Sequence, residues 1–330
     1  MKTLCSATAL AALLLAGCAG RPETPTTPPP APAPEAAAPL PSLRPGDALL
    51  IAAGDIAACN EDDGAQAKAT AAVIAGFPKA TVIAAGDLAY KNGTESEFSE
   101  CYDRVWGAHK ERTRPAPGNH DYGPYASVYR NTAKPYFDYF GANAGPKGKG
   151  YYSFDLGAWH IVSLNSMADV LASAPTMAEQ VDWLKTDLAA NRKPCILAYW
   201  HHPLFTSGEH GDEPNDPGKS TKPLWDVLYS HGADVIVNGH DHDFERFAPQ
   251  TPIGAADPKG IREFVVGTGG IKLRGPGSKA ANNTENFLSD NRIDHGVLVL
   301  TLHPNSYEWN FRRVNGTDGD ASTSAVACHP

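Results

Sequence analysis

Three segments, each closed by a glycine and a ligand-type residue, recur at a fixed step. The run "ALLIAA" (48–53) leads into Gly54-Asp55, "TVIAA" (81–85) into Gly86-Asp87, and "RTRPAP" into Gly118-Asn119. Asp55 to Asp87 is 32 residues, and Asp87 to Asn119 is another 32. About 30 residues is the length of one β-α-β unit. Helical stretches at 64–76, with Ala67, Ala71 and Ile74 on one face, and at 95–107 fill the intervals. Continuous apolar strands alternating with helices read as a largely parallel sheet covered on both faces. Ligands bind such sheets outside the carboxyl ends of the strands, where glycine allows a sharp turn and a close approach.

The second half repeats the device with histidine. "GYYSFDLGAWHIVSLNS" (150–166) reads as a hairpin turning near Leu156-Gly157. "TMAEQVDWLKTDLAANR" reads as a helix, with Thr176 and Glu179 as a capping box and Val181, Leu184 and Leu188 on one face. "CILAYW" is a strand ending at His201-His202. A helix over "TKPLWDVLYSHG" stops at Gly232, and "DVIVN" ends at Gly239-His240. Late strands follow in "REFVVG", "GVLVLTL" and "SYEWNFRRV", and 272–292 reads as a long loop. Asp55, Asp87, Asn119, His201 and His240 thus gather at one edge. Carboxylate and amide oxygens mixed with imidazoles suit two adjacent borderline ions such as iron, zinc or manganese.

The N-terminal segment is of another kind. Lys2 precedes an apolar stretch at 7–17, too short for a membrane span. "LAGC" at 15–18 resembles a bacterial lipobox, which implies a signal peptide over 1–17, a lipid on Cys18 and export. Ala19 after the cysteine favours the outer membrane. Ten of the 28 prolines lie in 21–45, so 18–45 reads as a lipidated cysteine and extended tether, with the folded domain over 46–330. An oxidising compartment permits two disulfides among Cys59, Cys101, Cys195 and Cys328. Cys59 with Cys101 is the favoured pair, since each lies just beyond a Gly-Asp segment, and Cys195 is open to being merely buried in its strand. The net charge of −9 argues against a nucleic-acid surface.

The ordered set Asp55, Gly86-Asp-Leu-Ala-Tyr90, Gly118-Asn-His-Asp121, His201-His-Pro203 and Gly239-His-Asp-His242 resembles the calcineurin-like metallophosphoesterases, and within them the purple acid phosphatases. The resemblance spans roughly 48–312. It implies a four-layer α-β-β-α sandwich of two mixed sheets flanked by helices. The usual first motif of the superfamily is Asp-x-His, whereas Ala57 stands here, and Tyr90 compensates as in the purple acid phosphatases.

Carried over residue by residue, the resemblance implies that Asp55, Asp87, Tyr90 and His242 hold one ion. Asp87 bridges to a second, completed by Asn119, His201 and His240. A phenol with a pKa of about 10 needs a strongly acidic ion to bind as phenolate at neutral pH. That points to Fe(III) at Tyr90, with Fe(II), Zn(II) or Mn(II) as its neighbour. His120 and His210 are implied as proton-transfer groups, with Asp121 as the partner orienting His120 and His202 supporting the ligands from behind. His109, His160, His231, His295, His303 and His329 fall outside the motifs. Residues 121–140 are expected to wall the site and 207–218 to form a flap. The implied reaction is phosphomonoester hydrolysis by in-line attack of a metal-activated hydroxide. A phosphodiesterase of the same mechanism is one alternative. A catalytically silent surface-binding module is another, disfavoured because no ligand of the set is missing. No protein partner is implied.

Overall fold

The computed structural model describes residues 43–123, 132–289 and 294–329. The leader, Cys18 and most of the tether lie outside the described residues.

Strands β1 (Ala48–Ala53), β2 (Thr81–Ala85) and β3 (Thr113–Ala116) run parallel in adjacent order. A second sheet holds β4 (Tyr152–Leu156), β5 (Trp159–Ser163), β6 (Cys195–Tyr199), β7 (Val235–Asn238), β8 (Phe244–Phe247), β9 (Arg262–Val266) and β10 (Thr284–Leu288). Its order is β10-β8-β9-β7-β6-β5-β4, with β5, β6, β7 and β9 parallel. The chain then returns to the first sheet through β11 (Gly296–His303), β12 (Ser306–Arg313), β13 (Asp318–Ala321) and β14 (Val326–Ala327). β11 pairs antiparallel with β1, register Ile51 to Val299. The apolar runs therefore divide between two mixed sheets, not one parallel sheet. The hairpins β4–β5 and β11–β12 supply the antiparallel neighbours.

The sheets share one core, in which Leu50, Ala52, Ile161, Leu197, Tyr199, Val235 and Phe264 are buried together. The alternate residues of the second sheet, Val162, Ile196, Ala198 and Ile236, face Leu184 and Leu188 of the helix Met177–Ala190 and Leu224 and Trp225 of the helix Lys222–Ser230. A period of two with both faces apolar needs cover on both sides. The helix Ala65–Ala75 buries Ala67, Thr70, Ala71 and Ile74, and Thr176 and Glu179 form the capping box of Met177–Ala190.

Several expectations need correction. The stretch at 95–107 is wide-turned over Glu97–Tyr102, α-helical over Asp103–Trp106, and tightens into a 3-10 turn to Arg112. Arg112 donates to the carbonyls of Ile74, Phe77 and Ala80, closing the preceding helix. The 272–292 loop contains β10, which exists because β8 offers it an edge. The described aromatics of 121–140 do not wall the site. Tyr136 and Phe140 are buried against Phe98 and Tyr102, and Phe137 against Tyr136, because their helix (Lys134–Phe140) turns them onto that cluster. Residues 124–131 lie outside the described residues. Among the described residues two disulfides are present, Cys59–Cys101 and Cys195–Cys328, with Cα separations of 5.7 and 5.5 Å. Cys195 is thus both buried and bonded.

Candidate metal centre

β1 and β2 of the first sheet and β6 and β7 of the second all end at one place. Asp55, Asp87 and His240 stand there with φ of 62°, 53° and 73°. The left-handed region costs a non-glycine residue about 1–2 kcal/mol, and such strain survives only where surroundings over-determine it. They do so here. Asp55 N–H donates to Gly86 O (3.0 Å), His240 N–H to the Asp55 carboxylate (2.8 Å), and Gly239 N–H to His201 O (3.0 Å). The first and third bonds join neighbouring strand ends within a sheet, and the second, from His240 to Asp55, ties the two sheets together at the site. Gly86 is required by closeness as well as by its φ of 82°. A Cβ there would sit 2.5 Å from the His201 ring, and one at Gly118 would collide with Asp87.

Four side chains converge on one side. The Tyr90 hydroxyl donates to Asp55 (2.7 Å) and lies 3.1 Å from Asp87 and 3.4 Å from His242 Nε2. His242 Nε2 is 3.5 Å from Asp55. His201 Nε2 stands 3.2 Å from the Asp87 oxygen that Tyr90 also meets, without the direction of a hydrogen bond, and it has no other partner. Asn119 Oδ1 is also buried and unpartnered. A buried amide oxygen and a buried imidazole nitrogen, both without a donor or acceptor, are rare in native proteins. A cation is the kind of partner that both atoms lack, and His201 lies with the carboxylates of Asp55 and Asp87 within reach of one ion, so the residues fit a metal.

The electrostatics agree. Burial, then the charges of Asp55 and Asp87, hold the Tyr90 phenol well above its usual value. Only a strongly acidic cation would displace that proton. Burial opposes ionisation of Asp87, but His201 and His120 outweigh it and keep its carboxyl well below the usual range. His201 itself is pushed up to about 10, because Asp87 and Asp55 overcome its burial. Carboxylates that draw protons onto buried imidazoles are carboxylates that a cation would stabilise in their place.

A family profile described as calcineurin-like phosphoesterase matches residues 48–244. The chain belongs to the calcineurin-like phosphoesterases. It is 34% identical over 123 residues to purple acid phosphatase 15 of Arabidopsis thaliana, covering 36% of this chain and 22% of that one. It is 27% identical over 199 residues to purple acid phosphatase 22 of the same plant, covering 54% and 42%. The purple acid phosphatase PPD1 of yellow lupin (Lupinus luteus) shares the fold, with a TM-score of 0.66 at 19% identity over 84% of this chain and 52% of that one. The chain spans less than half the length of these two curated relatives.

Within this calcineurin-like phosphoesterase the site histidines are oriented by what they donate to. His201 Nδ1 donates to Ala85 O (2.9 Å), His242 Nδ1 to Lys272 O (2.9 Å) and His120 Nδ1 to Lys91 O (2.6 Å), since a carbonyl can only accept. All three therefore present Nε2 to the site. His120 Nε2 lies 3.8 Å from Asp87. Asp121 does not orient His120. Its carboxylate accepts the backbone N–H groups of Leu88 (2.9 Å) and Gly118 (2.8 Å), tying the second motif to the third. The carbonyl of Lys91 takes the ring instead. His202 bonds Ser166 (2.8 Å), behind the ligands. His210 has both nitrogens engaged, by Glu213 and by Arg274, and its ring stacks on His240 at 4.0 Å. The histidines outside the motifs bond elsewhere: His109 to Ala71 O, His160 to Asp155 and Asp187, His231 to Val227 O, His295 to Ile271 O, His303 to Asp47, His329 to Gly232 O.

A cavity of about 600 Å³ opens beside Tyr90, His120 and His242, lined also by Lys91, Lys272 and Arg274. A second, of about 560 Å³, adjoins His210 and Asp216. Sequence reading missed Asp216, Lys272 and Arg274. Asp216 sits in "NDPG", whose only local signal is a turn.

Proposed function

We propose that this chain is a metal-dependent phosphatase that hydrolyses phosphomonoesters at a two-ion centre. The observation that carries the reading is a pair of buried atoms without a hydrogen bond, Asn119 Oδ1 and His201 Nε2, the latter 3.2 Å from Asp87 and grouped with Asp55 and Asp87, which also meet Tyr90. Asp55, Asp87, Tyr90 and His242 would hold Fe(III). Asn119, His201 and His240, with Asp87 shared, would hold Fe(II), Zn(II) or Mn(II). Such ions, when bound, offset phosphoryl charge and lower the pKa of water toward neutrality. His120 has its Nδ1 fixed on Lys91 O and its Nε2 toward Asp87, so Nε2 is the atom that would hand a proton to the leaving alkoxide. The relatives named purple acid phosphatase support the monoester preference. The lipobox-like 15–18 and the proline-rich stretch support an exported, lipid-tethered protein.

The test compares p-nitrophenyl phosphate with bis-p-nitrophenyl phosphate, using the iron-loaded full chain and Asp87→Ala. Monoester turnover that Asp87→Ala abolishes supports the reading. Preference for the diester moves it to a phosphodiesterase. Two bound ions with no turnover on either ester would leave a binding module. For the tether, Cys18→Ala is expected to move the protein from the membrane to the soluble fraction.

A further inference from the structure

Of the four metal-facing and proton-transfer histidines His120, His201, His240 and His242, three are oriented by a backbone carbonyl through Nδ1. His240 differs in both atom and partner. Its Nε2 meets the carboxylate of Asp216 at 2.9 Å. Both side chains are nearly buried, at 9% and 8% exposure. The other Asp216 oxygen accepts the Gly218 N–H at 2.7 Å, which fixes the carboxylate against the turn that follows. The backbone of His240 is pinned separately, by its own N–H on Asp55. With Nε2 committed as a donor, Nδ1 is the one ring nitrogen left with a lone pair. A nitrogen of His240 lies within 4.8 Å of a nitrogen of His201 and of His202.

We propose that Asp216 is a positioning residue that selects Nδ1 of His240 as the nitrogen facing the second ion. The proposal rests on the two-ion reading above and adds to it a residue from outside every motif. Its physical basis is general. A carboxylate on the far nitrogen of a metal-binding histidine fixes the tautomer and ring angle and makes the near nitrogen more basic. A neutral carbonyl does the first two of these and less of the third. The loop 207–218 that carries Asp216 also carries His210, stacked on the outer face of the same ring. The segment expected to be a flap is thereby tied to the metal centre, through Asp216 on His240 and through the His210 N–H on Asp241.

The experiment uses the full chain, loaded first with Fe(III) and then titrated with Zn(II) against a competing chelator. Two readouts are followed: the affinity for Zn(II) and the visible absorption of the Tyr90–Fe(III) pair. Losing such an outer partner costs roughly 10–100-fold in metal affinity. Asp216→Ala is expected to weaken Zn(II) by that factor and leave the visible band unchanged. Asp216→Asn offers one acceptor oxygen to the two donors Gly218 N–H and His240 Nε2–H and carries no charge, so it too is expected to weaken Zn(II). Urea unfolding of both chelated variants separates a folding defect from a ligand effect. Zn(II) affinity within twofold of wild type in Asp216→Ala overturns the proposal. Equal weakening of both ions overturns it too, since the effect is then on the fold. An additional ion lost from Asp216→Ala would make Asp216 a ligand and refute the positioning role. Wild type that shows no colour with iron refutes the Tyr90 assignment alone, and wild type that binds a single ion refutes the two-ion reading and this proposal together.

Discussion

Replacing Asn119 by leucine tests the centre through opposite signs in one variant. Leucine has the branched shape of asparagine but no polar atom. In the chelated protein Asn119 Oδ1 is buried with no donor. An unsatisfied buried polar atom costs about 1–3 kcal/mol, so Asn119→Leu is expected to make the chelated protein more stable by an amount in that range. With metal the sign reverses. An ion at 100 times its Kd stabilises by about 2.7 kcal/mol, and a tenfold loss of affinity cuts this to about 1.4 kcal/mol. The metal-dependent gain should therefore shrink by about half while the metal-free stability rises. Urea unfolding with chelator and with Zn(II), plus a direct titration of Zn(II), measures both. A variant less stable than wild type under chelation, with an unchanged response to metal, would show that the amide serves the fold and not an ion.

Three further outcomes follow from the same geometry. Tyr90→Phe is expected to abolish the visible band of the iron-loaded protein while iron content, measured by mass spectrometry, falls less; a persisting band would exclude Tyr90 as its source. Cys328→Ser opens a covalent loop whose ends are 133 residues apart, and chain-entropy arguments put the loss at about 5 kcal/mol. Urea denaturation against the oxidised wild type checks this, and a loss under about 1 kcal/mol would mean that the unfolded chain is already constrained. His160 lies between Asp187 (2.8 Å) and Asp155 (2.9 Å). Its burial works to lower its pKa, and the two carboxylates outweigh it, so the pKa is raised. A raised folded value gives stability that is full below the unfolded pKa of about 6.5 and lost as pH rises through the folded one. His160→Gln should therefore cost about 1–2 kcal/mol more at pH 5.5 than at pH 9, measured by denaturation at both.

The alternation of apolar strand and helix and the glycine before each ligand-type residue were legible because they are local. A strand must be apolar where both faces are covered, and a chain turning out of it needs glycine where a side chain would collide, as at Gly86 and Gly118. A step of 32 residues between Asp55, Asp87 and Asn119 then records that successive strands end on the same side. The positions of Asp55, Asp87 and Asn119 follow from that regularity and those of His201 and His240 from later strand ends, whereas Tyr90 and His242 are implied only by the family resemblance. Their partners follow from neither. Asp121 is adjacent to His120, yet its carboxylate caps the backbone at Leu88 and Gly118, while a carbonyl 29 residues back takes the ring. Asp216 reaches His240 across 24 residues, and Cys195 finds Cys328 across 133. The asparagine-rich stretch at β10 becomes a strand only because β8 has a free edge. The tertiary structure decided these matters because a hydrogen bond to a side chain depends on where packing brings two distant segments, and packing leaves no period in the sequence.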